Sequence, residues 1–340
     1  MTEPGGAAAA QQQAEPDLSA LVARVEAELL GGPRRFTRQD VAERAHLDLD
    51  ELRRMWRALG FASVGDDDRV FTDADIAALE RVHDLREAGD IDDDLMLAMT
   101  RIIGQSFARL ASWQAQLVVE IIGRNPDLLT GSGAEIEQLT GRLIPAVEDL
   151  HTYVWRRQLA AVFSRIASNA GPGSGAMTAT VVGFVDMAGF TTLTRKATEG
   201  ELRTVLTAFE TLATDVVASR GGQIVKTIGD EILYVCDRPD EAADAALTLL
   251  DCADADDVLP QLRAGLAFGP VVSRLGDVYG QTVNIASRLT ALARSNTVLV
   301  DDGLAGALED DERFALRSLR PTAVRGYHHL HSWRLRRAGA

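Results

Sequence analysis

The chain reads as an α+β protein: an all-helical half comes first, then a half in which short strands alternate with helices. Three observations predict this. Between residues 17 and 168, apolar side chains recur at i, i+3 and i+4, the spacing of amphipathic helices. Ala167 to Ala176, with its Gly-Pro-Gly-Ser-Gly, breaks that period. Beyond it, β-rich apolar runs (Thr178–Val185, Ile224–Ile228, Glu231–Val235) are punctuated by Gly and Asp. The expected division is a disordered tail over 1–16, a helical domain over 17–168, a linker over 169–176 and a mixed domain over 177–340.

Asp17 is placed to cap a first helix through Leu18, Leu21, Val22, Val25 and Leu29, stopped by Gly31-Gly32-Pro33. Thr37 caps the next, with Asp40 in its first turn. Leu49 to Leu59 forms a third, closed by Gly60, and Asp73 opens a fourth toward Leu85. A long amphipathic helix starts at Asp92–Asp94 and stops at Asn125-Pro126. Another runs from about Ala134 toward Ile166, with a bend expected at Pro145. Phe36–Ala45 followed by Leu49–Gly60 looks like a helix-turn-helix, which would offer Arg53, Arg54 and Arg57 to DNA. Packing is the preferred reading, because residues 1–170 hold 28 acidic and 18 basic residues and would repel nucleic acid.

Composition narrows the classes further. A net charge of −15 excludes a non-specific nucleic-acid binder. Cys236 and Cys252 lie in apolar stretches and read as buried small hydrophobes in a reducing compartment. No apolar run approaches the roughly 20 residues that span a bilayer, so a cytoplasmic protein is expected. His46, His83 and His151 are residues able to titrate near neutrality, although purely structural roles are preferred.

The second half carries the chemistry. An apolar run ends at Asp186 in Phe-Val-Asp-Met-Ala-Gly-Phe-Thr, and Asp230 follows Gly229 between two further apolar runs. Each Asp alone is turn chemistry. Together, at the ends of neighbouring strands, they suit hard cations such as Mg²⁺. Only two lysines occur in the chain, and one of them, Lys226, precedes Asp230 by four residues. A helix from about Gln281 puts Asn284 and Arg288 on one face, an amide and a guanidinium suited to a phosphate and a developing oxyanion.

Taken together, these motifs resemble the class III nucleotidyl cyclases, in the adenylyl cyclase branch, from about Met177 to Leu335. The resemblance implies a ferredoxin-like βαββαβ catalytic domain. It implies that Asp186 and Asp230 bind two Mg²⁺ or Mn²⁺ ions per active site, and that Met187, Phe190 and Thr191 lie against the triphosphate. Lys226 and Asp277 would read adenine, Asn284 and Arg288 would stabilise the transition state, and Arg263 and Arg325 would hold phosphate. The chain departs from the family's pattern after Arg325, where Tyr327-His328-His329 replaces a basic-Gly sequence. Lysine as donor and aspartate as acceptor fit adenine and not guanine.

The resemblance further implies ATP as substrate, cyclic AMP and pyrophosphate as products, and a homodimer whose two sites are shared between subunits. A helical domain ahead of the catalytic one is then expected to regulate it, through a small effector or a proton. The alternative is a transcription regulator in which a non-catalytic cyclase-like domain senses nucleotide. The intact catalytic set favours the enzyme.

Overall fold

The computed structural model describes residues 18–89, 91–124, 133–169, 178–274, 276–324 and 326–339. The expected tail, nearly all of the linker, the Asn125-Pro126 stop and Arg325 lie outside the described residues. The chain divides into two compact units, Met1–Arg165 and Ile166–Ala340.

The first unit contains α1 (Leu18–Leu29), α2 (Arg38–Arg44), α3 (Leu49–Ala58), α4 (Asp73–Glu87), α5 (Asp93–Arg124) and α6 (Gly133–Asn169), the last ending beyond the division. Thr37 and Asp40 form a capping box on α2, and Asp48 caps α3. Thr72 caps α4 in the same way, which sets Asp73 in the first turn. α2, α3 and α4 enclose Val41, Ala42, Leu52, Phe71 and Ile76. α5 crosses α3 at Gly104, where a Cβ would stand 2.4 Å from the Leu59 carbonyl oxygen.

Met96 of α5 is buried, whereas Leu95, Met99 and Ile103 are exposed. α6 includes Pro145 within its span. Arg53 pairs with Asp50 and Asp66. His46 and His83 come together, with ring centroids 6.3 Å apart, and His151 meets Gln114.

The second unit runs β1 (Thr178–Met187), α7 (Phe190–Thr194), α8 (Glu199–Ser219), β2 (Gln223–Ile228), β3 (Glu231–Cys236), α9 (Pro239–Asp254), β4 (Leu262–Arg274), β5 (Asp277–Tyr279), α10 (Gln281–Leu292), β6 (Thr297–Val300), α11 (Asp302–Ala307), β7 (Phe314–Ser318), β8 (Thr322–Val324), β9 (Tyr327–Leu330) and β10 (Trp333–Arg337). Its sheet has the order β2-β3-β1-β4-β6-β10-β7, with β5 added to β4. The four strands β2-β3-β1-β4 are antiparallel and linked through α8 and α9, which is the ferredoxin-like βαββαβ arrangement expected.

Side chains alternate across a strand, so each face has its own core. Val185, Ile232, Tyr234, Ala264 and Val298 lie on one side, packed with Phe209 and Ala213 of α8 and Leu249 of α9. Val182, Phe184, Leu233 and Ala267 lie on the other and meet Ala286 of α10. One helix cannot cover a sheet this wide, and the strand ends on its side are left for polar residues. Cys236 is buried as expected, but Cys252 is exposed on the outer side of α9, whose Leu249, Leu250 and Ala253 face inward.

Candidate active site

Asp186 and Asp230 meet at one end of the sheet. Asp230 lies in the tight turn joining β2 to β3, where Gly229 takes φ 64, a left-handed value that favours glycine. The Met187 N–H donates to the Asp230 carbonyl at 3.1 Å, fastening the turn to the end of β1. Strand register then sets Glu231, Asp186 and Arg263 side by side on the α10 side of the sheet. Arg263 donates to Asp186 Oδ2 from Nε at 2.7 Å and from Nη2 at 2.5 Å.

Burial pushes the Asp186 carboxyl above its usual range; Arg263 opposes this and Asp230 adds to it. Burial wins because Asp186 is only 9% exposed. Glu231 is pushed up to about 7, first by burial and then by Asp186 and Asp230. Sequence reasoning missed Glu231. The signal was its place directly across the β1–β3 pair from Asp186, readable once the two strands are aligned.

Lys226 Nζ lies 2.5 Å from Asp277 Oδ2. Burial raises the Asp277 carboxyl, but the Lys226 ammonium and the Val278 N–H more than offset it, so it is held below the usual range. Lys226 aligns, through Leu233 and Phe184, with Gly265 on β4, whereas Asp277 pairs with Arg274, nine residues further on. A straight strand rising ~3.3 Å per residue would hold them roughly 30 Å apart. β4 stays paired with β1 as far as Val271, and the β4–β5 hairpin beyond it curls back to bring Asp277 to β2.

α10 lies tight on the sheet. A Cβ at Gly265 would stand 2.2 Å from the Thr290 nitrogen, and Ala286, Leu289 and Thr290 are buried beneath the helix. This turns Asn284 outward and leaves Arg288 half-buried. Neither side chain has a hydrogen bond or ion pair among the described residues.

Phe190 and Thr191 stand in the first turn of α7, whose amides have no carbonyl four residues back within the helix. Phe190 leans on the core while Thr191 is exposed. Met187 is buried, 1% exposed, and its N–H bond to Asp230 fastens the turn. Arg325 lies outside the described residues.

Among the described residues no trio of His, Cys, Asp or Glu could hold a metal. The crowded carboxylates at the end of β1 still ask for positive charge, and their oxygens suit Mg²⁺ or Mn²⁺. Mg²⁺ commonly uses one or two carboxylates together with substrate phosphate oxygens.

Residues 175–337 match the model of the adenylate and guanylate cyclase catalytic domain, and residues 6–159 match that of the adenylate cyclase regulatory domain. An adenylate cyclase of Streptomyces coelicolor is 40% identical over 88% of this chain and 78% of its own length. One from Glutamicibacter nicotianae is 37% identical over 92% and 82% respectively. A pH-sensitive adenylate cyclase of Mycobacterium tuberculosis is 34% identical over 80% and 70%.

Proposed function

This chain belongs to the family of adenylate cyclases that carry a regulatory domain ahead of the catalytic one, and from that premise we propose that it converts ATP to cyclic AMP and pyrophosphate at two sites shared across a homodimer. The observation that carries the choice of ATP is the Lys226–Asp277 pair. An ammonium only donates and a carboxylate only accepts. Lys226 therefore suits a ring nitrogen of adenine, and Asp277 its exocyclic amine. Guanine, with O6 and N1–H, would leave both partners mismatched.

Asp186 and Asp230 are the residues that would hold Mg²⁺ or Mn²⁺. Bound there, the ions would lower the barrier to deprotonating the ribose hydroxyl and offset charge on the phosphoryl oxygens. The ribose O3′ forms a bond to the α-phosphorus as the bond to the β-phosphate bridging oxygen breaks. The hydroxyl proton passes to solvent, and pyrophosphate leaves. Arg263 and Arg325 would bind the triphosphate, while Asn284 and Arg288 would steady the phosphoryl group as charge shifts.

A shared site is supported by the idle Asn284 and Arg288. They are chemically competent and unpaired among the described residues of their own chain, and each motif occurs once per chain. Such a site needs close placement across the dimer axis, so the helical unit has a simple way to regulate it. The exposed Trp113, Tyr153, Trp155 and Phe163 of α5 and α6 are consistent with contacts made by that unit in an oligomer. No helix among the described residues is long and apolar enough to cross a membrane.

Purified protein incubated with ATP or GTP and Mg²⁺ or Mn²⁺ tests the reading. Cyclic AMP and pyrophosphate are expected from ATP, with little product from GTP. Absence of cyclised product from either nucleotide would remove the proposal.

A further inference from the structure

The outer strands of the same sheet face carry a cluster of positive charge that the nucleotide site does not use. On β10, Leu335 is buried in the core shared with α9, and Arg337 pairs with Asp244 and Asp251 of α9. By alternation, Arg334 and Arg336 face the other way, to the side of Asp186 and α10. Arg334 stands directly across from Arg317 of the edge strand β7, and its other neighbour is Leu299 of β6. Like charges directly opposed on adjacent strands destabilise a sheet.

Nothing described nearby relieves this. Burial lowers the proton affinity of the Arg334 guanidinium; the charges that add to the effect are Arg336, Arg317 and Arg294, with no carboxylate among them. Arg334 Nε is buried without a hydrogen-bond partner. None of Arg294, Arg317, Arg334 and Arg336 forms an ion pair among the described residues, although the chain carries a net −15. Elsewhere in the unit Arg220, Arg313 and Arg337 all hold carboxylates.

The cluster is also near the candidate site. Arg263 aligns with Thr297 on β6, two residues from Leu299, and β10 is two strands from β4, about 10 Å at the usual strand spacing. Asn296 donates its N–H to the Leu262 carbonyl, which brings the Arg294 connection to the Asp186 end of the sheet.

We propose that Arg294, Arg317, Arg334 and Arg336 form a second anion site, for a multivalent phosphate of the pyrophosphate class, beside Arg263 and distinct from the metal carboxylates. Guanidinium groups match phosphate oxygens in pairs, and a bound polyanion converts mutual repulsion into attraction. The existence of the site does not depend on the cyclase reading. Only its use, as a first stop for departing pyrophosphate, rests on that reading.

Equilibrium dialysis of the full chain against radiolabelled inorganic pyrophosphate, in EDTA at about 0.1 M salt, tests it. Binding is expected for the unaltered chain. The double variant Arg317→Gln/Arg336→Gln should bind about tenfold more weakly, and Arg317→Lys/Arg336→Lys should stay within about threefold. Equal binding by the Gln variant and the unaltered chain, equal weakening in both double variants, or no binding by the unaltered chain would each overturn the proposal. Normal pyrophosphate binding by a chain that makes no cyclic AMP would leave the anion site standing and sink the cyclase reading instead.

Discussion

Arg263 holds a single oxygen of Asp186, Oδ2, through both Nε and Nη2. It is the positive charge that offsets a crowd of carboxylates at the end of β1. Arg263→Gln should therefore lower stability at pH 8 in EDTA by about 1–3 kcal/mol, the scale for leaving a buried polar group unpaired. Urea unfolding checks this, and adding Mn²⁺ should recover part of the loss. An unchanged midpoint would mean that the carboxylates need no such partner.

Glu231 gives the pH dependence. Its carboxyl is raised from the ordinary 4.5 to about 7 in the folded chain. Between those values the folded state holds a proton that the unfolded state has released, so stability falls as pH rises through this window. Below pH 4.5 the contribution is fully present, and above pH 7 it is gone. Glu231→Gln should flatten the fall in melting temperature between pH 5 and 7, measured without divalent ions.

Lys226→Ala removes the donor and leaves Asp277 held by the Val278 N–H. The pair is partly exposed, so unfolding should change by less than about 1 kcal/mol. Base choice should suffer more. The preference for ATP over GTP in kcat/KM is expected to drop by roughly 10–100-fold, and steady-state assays with both nucleotides read this directly.

Sharing of the sites predicts complementation. Asp186→Asn and Arg288→Ala should each be inactive alone. Mixed and allowed to exchange subunits, half the dimers would be mixed, each with one intact site, and activity should return to about a quarter of the unaltered enzyme. No recovery after proven exchange would place the whole site within one chain.

Gly265→Ala tests the seat of α10. The added methyl would press on the backbone nitrogen of Thr290, which cannot give way as a side chain tip can. A loss of about 1–3 kcal/mol is expected from such overpacking. Turnover should fall with it, since Asn284 and Arg288 ride on the displaced helix.

Much of this was legible in the sequence because strand ends and turns announce themselves. Asp186 closes an apolar run, Asp230 follows a glycine, and Asn284 and Arg288 are four apart on a helix. Glu231 was not legible, because its importance comes from strand pairing with Asp186, a contact across 45 positions of chain. The burial of Met187 was hidden for a related reason: its place in the motif says nothing of which way its side chain turns. The arginines of β7 and β10 were invisible for the same cause, being distant in order and adjacent only in register. The exposure of α5 was equally hidden, since helical periodicity tells which side is apolar and not what lies against it.

The long strand β4 has a mechanical meaning. Its root carries Arg263, beside Asp186, and its hairpin with β5 brings Asp277 to Lys226. Under the proposed sharing, these two ends of one ribbon belong to different sites of the dimer. A signal that bent the ribbon by a few degrees would then disturb both sites at once, with every reactive group intact.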